Sequence, residues 1–410
     1  MNNFAALTIC SVNYLAKALV LIDSYSSHHP GHALYLVLVD RKRDDIVINR
    51  MGLTIIWVED LEIPNILKLA FTFDVIEFNT NVKPTALKRL LQKHEVVVYL
   101  DPDIKIYAPL DPVFDALSAG ASLVVTPHCN TPVLDGCKPD DLDLLKFGAF
   151  NLGFVGVRRC PEGLAFLDWW SERCLGHGFY EPQLGLGVDQ KWVGLAPCYF
   201  PAMQVLHDAG LNVAFWNLHE RRLEERGGIW YVNHGTLLRF VHFSSFSEKT
   251  PDVVAKKQTR FEPGSRPDFH AVAYAYAAEL LENASASFSG QCYSFDYFDD
   301  GSYVTPALRR FYAALAGTVF KNETNPFLAD GPVMRFGKSY RLVGAPGQGV
   351  RRHIFKDMNA YGSQIKVINM MLRLALFVLG PDRYFNLMRY MAHISSLRNQ
   401  TDMFGKISSK

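Results

Sequence analysis

The stretch Val96-Val97-Val98-Tyr99-Leu100-Asp101-Pro102-Asp103-Ile104-Lys105-Ile106-Tyr107 constrains the chain most. Its first five residues are β-branched or bulky and read as a buried central strand. Pro102 cannot donate to a ladder, so the strand stops there and two carboxylates stand at its carboxyl end. Open α/β sheets bind their ligands at that edge. Two acids one residue apart can share a divalent cation as hard oxygen ligands, leaving positions for water and phosphate oxygens. The competing reading is a pair of solvated turn residues or helix caps.

The preceding sequence has the order of a nucleotide-binding sheet. Leu7 to Val12 reads as a strand, Tyr14 to Ser26 as a helix with Asn13 as its cap, and Ala33 to Val39 as a second strand ending at Asp40. Leu53 to Val58 is a third strand, ending at Glu59 and Asp60. Asp40 is either a loop carboxylate or a contact to base or ribose. Lys83, beside Pro84 and just before a helix expected over Thr85 to Gln92, is either a surface lysine or a counter-charge for a diphosphate.

Beyond the acidic pair, a surface helix is expected over Pro109 to Ala119 and a strand over Ser122 to Thr126. In Phe147-Gly148-Ala149-Phe150-Asn151-Leu152-Gly153-Phe154-Val155-Gly156, glycines among aromatic and β-branched residues imply a strand approached closely by a ligand or another backbone. Asn151 is polar within that apolar run and needs partners if buried; a sugar hydroxyl would serve. A Gly- and Pro-rich loop, Gly176 to Gly187, leads into Val188-Asp189-Gln190-Lys191-Trp192 at a helix start, where Asp189 is a cap or part of a sugar site. Leu211 to Arg221 is dense in polar and aromatic groups. Leu238 to Phe246 reads as a strand with His242 in its middle, a core histidine unless Asp101 and Asp103 hold a metal, in which case it is the best nitrogen ligand available.

Taken together, the Lys-Pro before a helix, Tyr-Leu-Asp-Pro-Asp-Ile, Asn-Leu-Gly-Phe, Val-Asp-Gln-Lys, Trp-Asn-Leu-His and the late strand with His resemble bacterial glycosyltransferases of the GT-A fold. The nearest likeness is to metal-dependent retaining galactosyl- and glucosyltransferases of the lipopolysaccharide and glycogenin type, over roughly residues 5 to 250. This resemblance implies an α/β fold, a mixed sheet flanked by helices with a mainly helical C-terminal extension. It implies an enzyme that moves a sugar from a nucleotide-diphosphate sugar, UDP preferred, to a saccharide or lipid-linked acceptor of surface polysaccharide synthesis. Asp101, Asp103 and His242 would bind Mn²⁺ or Mg²⁺; Thr8, Asn13, Asp40 and Lys83 would contact the donor nucleotide; Asn151, Asp189 and Gln190 would occupy donor-sugar and catalytic positions. The sequence departs from that pattern at Lys83, where an Arg is usual, and after His242, where Phe-Ser-Ser-Phe lacks the nearby Gly and Lys-Pro. A sugar-phosphate nucleotidyltransferase is a weaker match, because Ser11-Val12-Asn13 stands where its Gly-rich, basic phosphate loop would be. A non-catalytic carbohydrate-binding protein has no need of the two acids and the histidine together.

Composition sets the remaining bounds. With 410 residues, 49% of them hydrophobic and 20% charged, the chain is long enough for a large core and reads as folded. A net charge of +1 offers no argument for nucleic acid. Seven cysteines without a C-x-x-C fit a reducing cytoplasm, and no basic n-region precedes the first apolar run. The expected organisation is a transferase domain over 1–255, an accessory region over 256–345 and a basic, largely helical tail over 346–410. Residues 351–410 hold ten Lys or Arg against three Asp, so a basic tail sits on an acidic body. The apolar run Ile365 to Leu379 contains Lys366, Asn369 and Arg373 and is too short to span a bilayer. It reads either as docking helices or as a basic amphipathic anchor on the inner face of a membrane.

Overall fold

A computed structural model describes residues 3–233, 235–283, 285–349 and 358–404. The chain divides into two compact units, Met1–Ile66 with Val75–Ser294, and Leu67–Asp74 with Phe295–Lys410.

The first unit is built on strands β1 (Phe4–Cys10), β2 (Ala33–Leu38), β3 (Leu53–Trp57), β4 (Val96–Leu100), β5 (Ile104–Ile106), β6 (Leu123–Pro127) and β7 (Phe150–Arg158). Six of these join the edge strand Met203–Val205 in a seven-stranded sheet, ordered Met203–Val205, β6, β7, β4, β1, β2, β3. Neighbours pair in parallel except at β7, which runs antiparallel to both β4 and β6. The mixed sheet flanked by helices expected from the sequence is therefore the one observed, as is the helical C-terminal region. Every residue of β1, β4 and β6 is buried. That explains their continuous rather than alternating apolar character, since helices cover both faces of a largely parallel sheet. Helix Leu15–His28 places Leu15, Leu19 and Ile22 in the same core as Leu36, Val98 and Val124.

β5 leaves this sheet and pairs antiparallel with Phe240–His242, His242 lying opposite Ile104. The strand expected over Leu238 to Phe246 shortens to those three residues, matching the three residues of β5 that it pairs with, and Ser245 beyond it takes a left-handed φ of 60. Two other boundaries move. Asn13 lies in a 3-10 turn, Val12–Tyr14, and caps nothing; its side-chain oxygen accepts from the Ser11 hydroxyl at 2.6 Å instead. Lys83 is the first residue of its helix, Lys83–Leu90, with Pro84 in the opening turn, where a missing N–H costs little.

The second unit is knit by Arg309, 2% exposed, on helix Pro306–Leu315. Its guanidinium donates to the carbonyls of Ala70, Phe71 and Phe73 at 2.8–3.0 Å and to Asp296 at 2.8 Å. Phe71 packs edge-on against Phe298, Tyr312 and Phe327. The eight residues Leu67–Asp74 are thus held by groups more than two hundred positions away. Helix Met358–Ile394 follows, broken at Gly380, φ 73, ahead of Pro381.

One buried base sets an acid limit on the first unit. His29 is tucked against Tyr25 and Phe114, and its Nε2 accepts the Leu110 N–H at 3.1 Å, so that nitrogen must be unprotonated. Burial, with His32 and His28 adding positive charge nearby, pushes it down to about 4. The unfolded chain takes up this proton at the ordinary value of 6.5 and the folded chain near 4, so acid favours unfolding across that interval. The melting midpoint is expected to fall as pH drops from 6.5 to 4. His29→Gln, which keeps an acceptor, is expected to flatten the slope in calorimetric scans; an unchanged slope would assign the acid limit to other groups.

Candidate active site

The acidic pair lies where β4 ends. The Asp101 N–H donates to the Gly153 carbonyl of β7 at 2.7 Å, and the Ile104 N–H returns to the Asp101 carbonyl at 3.0 Å. This tight turn carries the chain from the large sheet into the β5 ribbon. Pairing of Ile104 with His242 then sets the imidazole beside the acids, Nε2 lying 3.1 Å from Asp103 Oδ1 and 3.6 Å from Asp101 Oδ2. Ligand atoms of all three residues fall within 4.8 Å of one another. Burial opposes a charged ring, yet the carboxylates of Asp103 and Asp101 push His242 above its ordinary value. Asp103 moves the other way: burial is outweighed by His242, and its carboxyl is held at about 2.

Behind the histidine stands a buried amide network. His242 Nδ1 lies 3.2 Å from Asn151 Oδ1, an oxygen that also accepts from Asn212 Nδ2 at 3.1 Å and the Gly153 N–H at 3.2 Å. An acceptor there requires a proton on Nδ1, which leaves the Nε2 lone pair of the neutral ring facing the two acids. Asn212 also donates to Thr126 Oγ1 at 2.9 Å, and Asn217 donates to the Asn212 and His128 carbonyls at 2.9 Å. Burial pushes His128, on the far side of Asn151, down to about 4 and so keeps it neutral.

A cavity of about 210 Å³ opens beside this cluster. Its wall brings together seven of the residues singled out from the sequence: Lys83, Asp101, Asp103, Asn151, Asp189, Gln190 and His242. Lys83, 1% exposed, donates to Asp189 Oδ2 at 2.6 Å and to the Leu152 carbonyl at 2.8 Å, and its ammonium lies 4.1 Å from the Tyr99 ring centre. Tyr99 in turn donates to Asp101 Oδ1 at 2.6 Å. Burial pushes the Asp189 carboxyl up while Lys83 pulls it back. Asp189 follows Val188, whose φ of 46 is left-handed for a β-branched side chain and marks local strain beside the cavity. Gln190 accepts the Leu152 N–H at 3.0 Å and donates to the Phe147 carbonyl at 2.9 Å, which fixes its carboxamide.

Thr8, Asn13 and Asp40 are not part of the cavity wall. They lie along the same carboxyl edge, in β1, after β1 and after β2. Both Asp40 oxygens are engaged, by the Val12 N–H at 2.8 Å and by the N–H and hydroxyl of Ser294 at 2.8 and 2.7 Å. Thr8 Oγ1 is buried without a hydrogen-bond partner among the described residues.

Several wall residues were not singled out from the sequence: Thr80, Phe147, Tyr180 and Ser244, of which Phe147 and Tyr180 stack with planes 8° apart. Nor were Thr126 and His128 of the network; Asn212 and Asn217 lie in the segment Leu211 to Arg221, whose density of polar and aromatic groups is the local signal. Gly153 shows what its lack of a side chain is for. A Cβ there would stand 2.4 Å from His242 Cε1 and 2.8 Å from Asp101 Oδ2, so the close approach is by the site's own side chains.

No family model matches the sequence. Uncharacterized proteins YfnF and YfnD of Bacillus subtilis are each 26% identical, over 246 and 254 residues, or 58% and 60% of this chain and 80% and 79% of theirs. Among solved structures the chain is similar to a galactosyltransferase LgtC complexed with donor and acceptor sugar analogues, at 13% identity and a TM-score of 0.39, covering 70% of this chain and 97% of that one.

Crowding at Gly153 generates a paired test. Gly153→Ala is expected to lower stability by about 1–3 kcal/mol, the cost of overpacking a filled core. Gly176→Ala, in helix Pro161–His177 with open space around the added methyl, is expected to raise it by up to about 1 kcal/mol. Chemical denaturation of both variants checks the contrast.

Proposed function

We propose that the chain is a glycosyltransferase that takes a nucleotide-diphosphate sugar, UDP-linked, as donor and a saccharide or lipid-linked saccharide as acceptor. The observation that carries this reading is the cluster of Asp101, Asp103 and His242 at the carboxyl edge of the sheet, opening onto a cavity lined by amides, a buried Lys and an aromatic pair. The donor set fits Mn²⁺ or Mg²⁺: two hard carboxylates and an imidazole whose free nitrogen is fixed by its own hydrogen bond to Asn151. Bound there, such an ion supplies neutralisation of the charge that develops on a departing diphosphate.

The chain's own groups do the rest. Lys83, neutralised by Asp189 and bonded to the Leu152 carbonyl, stands at the wall as a hydrogen-bond donor fixed in place. Gln190 presents a carboxamide held at both ends by backbone, suited to contact a sugar without rearrangement. Phe147 and Tyr180 offer ring surface to the apolar face of a pyranose. Among the described residues, the carboxylates and histidines of the cavity wall are Asp101, Asp103, His242 and the Lys83-paired Asp189. That inventory contains no side chain free to act as base on an acceptor hydroxyl, which supports a retaining course in which the leaving diphosphate takes the proton.

Thermal stability against UDP-, GDP-, dTDP- and CMP-sugars, with and without Mn²⁺, tests the proposal. At a hundredfold excess over Kd the donor is expected to stabilise wild type by roughly 2.7 kcal/mol, in a Mn²⁺-dependent manner and for the UDP class. Asp103→Ala is expected to abolish that gain. Equal stabilisation of the variant, or none of wild type by any donor, would sink the reading.

A further inference from the structure

Within helix Met358–Ile394 the stretch Tyr361–Ile394 is long and apolar enough to cross a membrane by length and composition, longer than the apolar run visible in the sequence, with a mean hydropathy of 1.4 over its best window and none of that window buried. Met370, Met371, Leu374, Phe377 and Val378 are all at least 62% exposed, Phe377 reaching 87%. Their spacings of one, three, three and one put all five within about 120° of the helix circumference, a single broad apolar face. An exposed surface of this kind in water exceeds what a soluble protein ordinarily leaves uncovered.

We propose that this helix lies in the interface of an anionic lipid bilayer, parallel to its plane. Lys366, Asn369 and Arg373 follow one another at spacings of three and four and so form a single polar stripe on the first limb, residues 358–379. A spanning orientation would draw both cations into hydrocarbon, whereas lying flat puts the stripe among headgroups and the apolar flanks among acyl chains. The break at Gly380 starts a second limb, along which Arg383 and Arg389 alternate with exposed Phe385, Tyr390 and Met391. Residues 358–404 carry five Lys or Arg against Asp382 and Asp402. That excess matches an anionic surface and repels a second copy of the same helix. The inference stands apart from the proposed transferase activity.

Co-sedimentation of the full chain with vesicles tests it, using phosphatidylcholine alone and three parts phosphatidylcholine to one part phosphatidylglycerol. Wild type is expected to pellet with the anionic vesicles and weakly with the neutral ones. Lys366→Gln with Arg373→Gln is expected to weaken partition into the anionic vesicles roughly thirtyfold, following the usual contribution of a basic residue near such a surface. Leu374→Asp with Phe377→Asp is expected to abolish pelleting with an unchanged circular dichroism spectrum, both side chains being exposed. Failure of wild type to pellet, pelleting unaffected by either double variant, or a dimer in light scattering that the aspartates dissolve would overturn the proposal, the last in favour of self-association.

Discussion

The buried ion pair between Lys83 and Asp189 is the constraint on which the site's geometry rests. Its partners are 106 positions apart and nearly inaccessible, and they meet at 2.6 Å. Burying two charges repays its desolvation cost only with close geometry and further hydrogen bonds, and removing one partner typically costs about 3–5 kcal/mol. Those further bonds are present. Lys83 also reaches the Leu152 carbonyl of β7, and the Asp189 carbonyl accepts the Trp170 indole N–H at 2.9 Å. A helix start, a central strand and the loop before Gln190 are thereby held together. The strained backbone of Val188 persists because its neighbour is fixed so firmly.

The second constraint is one of register. A one-residue slip in the pairing of β5 with Phe240–His242 would turn His242 to the opposite face. The bonds that prevent it flank the pair: the His242 N–H reaches the Val213 carbonyl at 2.8 Å and the Phe243 N–H reaches the Asp103 carbonyl at 2.8 Å. The segment bearing Asn212 therefore serves twice, aligning the strand and supporting its imidazole through Asn151.

Much of this was legible in the sequence, for identifiable reasons. β4 announces itself because a strand buried on both faces needs consecutive apolar residues, and the acids after it mark the edge where it stops. Asn151 and His242 stand out as polar residues within apolar runs, and Lys83 and Asp189 as charges at expected helix starts. What the sequence does not disclose is pairing between distant segments. Nothing local says that Lys83 meets Asp189, that Asn212 reaches Asn151, or that the N–H and hydroxyl of Ser294 both reach the Asp40 carboxylate. Tyr180 and Phe147 look like ordinary loop aromatics until the fold stacks them. The helix boundaries at Asn13 and Lys83 shifted because a 3-10 turn and an N-terminal proline are decided by a residue or two.

Arg309 carries a consequence for how the chain matures. Ribosomes deliver polypeptide at roughly 5–20 residues per second, so the 239 positions separating Ala70 from Arg309 correspond to a delay on the order of 10–50 seconds. For most of that interval Phe71 and Phe73 have been made, while the guanidinium and the rings of Phe298, Tyr312 and Phe327 have not. The sheet of the first unit can assemble in the meantime, since all seven of its strands precede residue 206. The nascent protein thus carries an aromatic segment exposed to chaperones until the last quarter of the chain arrives to cover it.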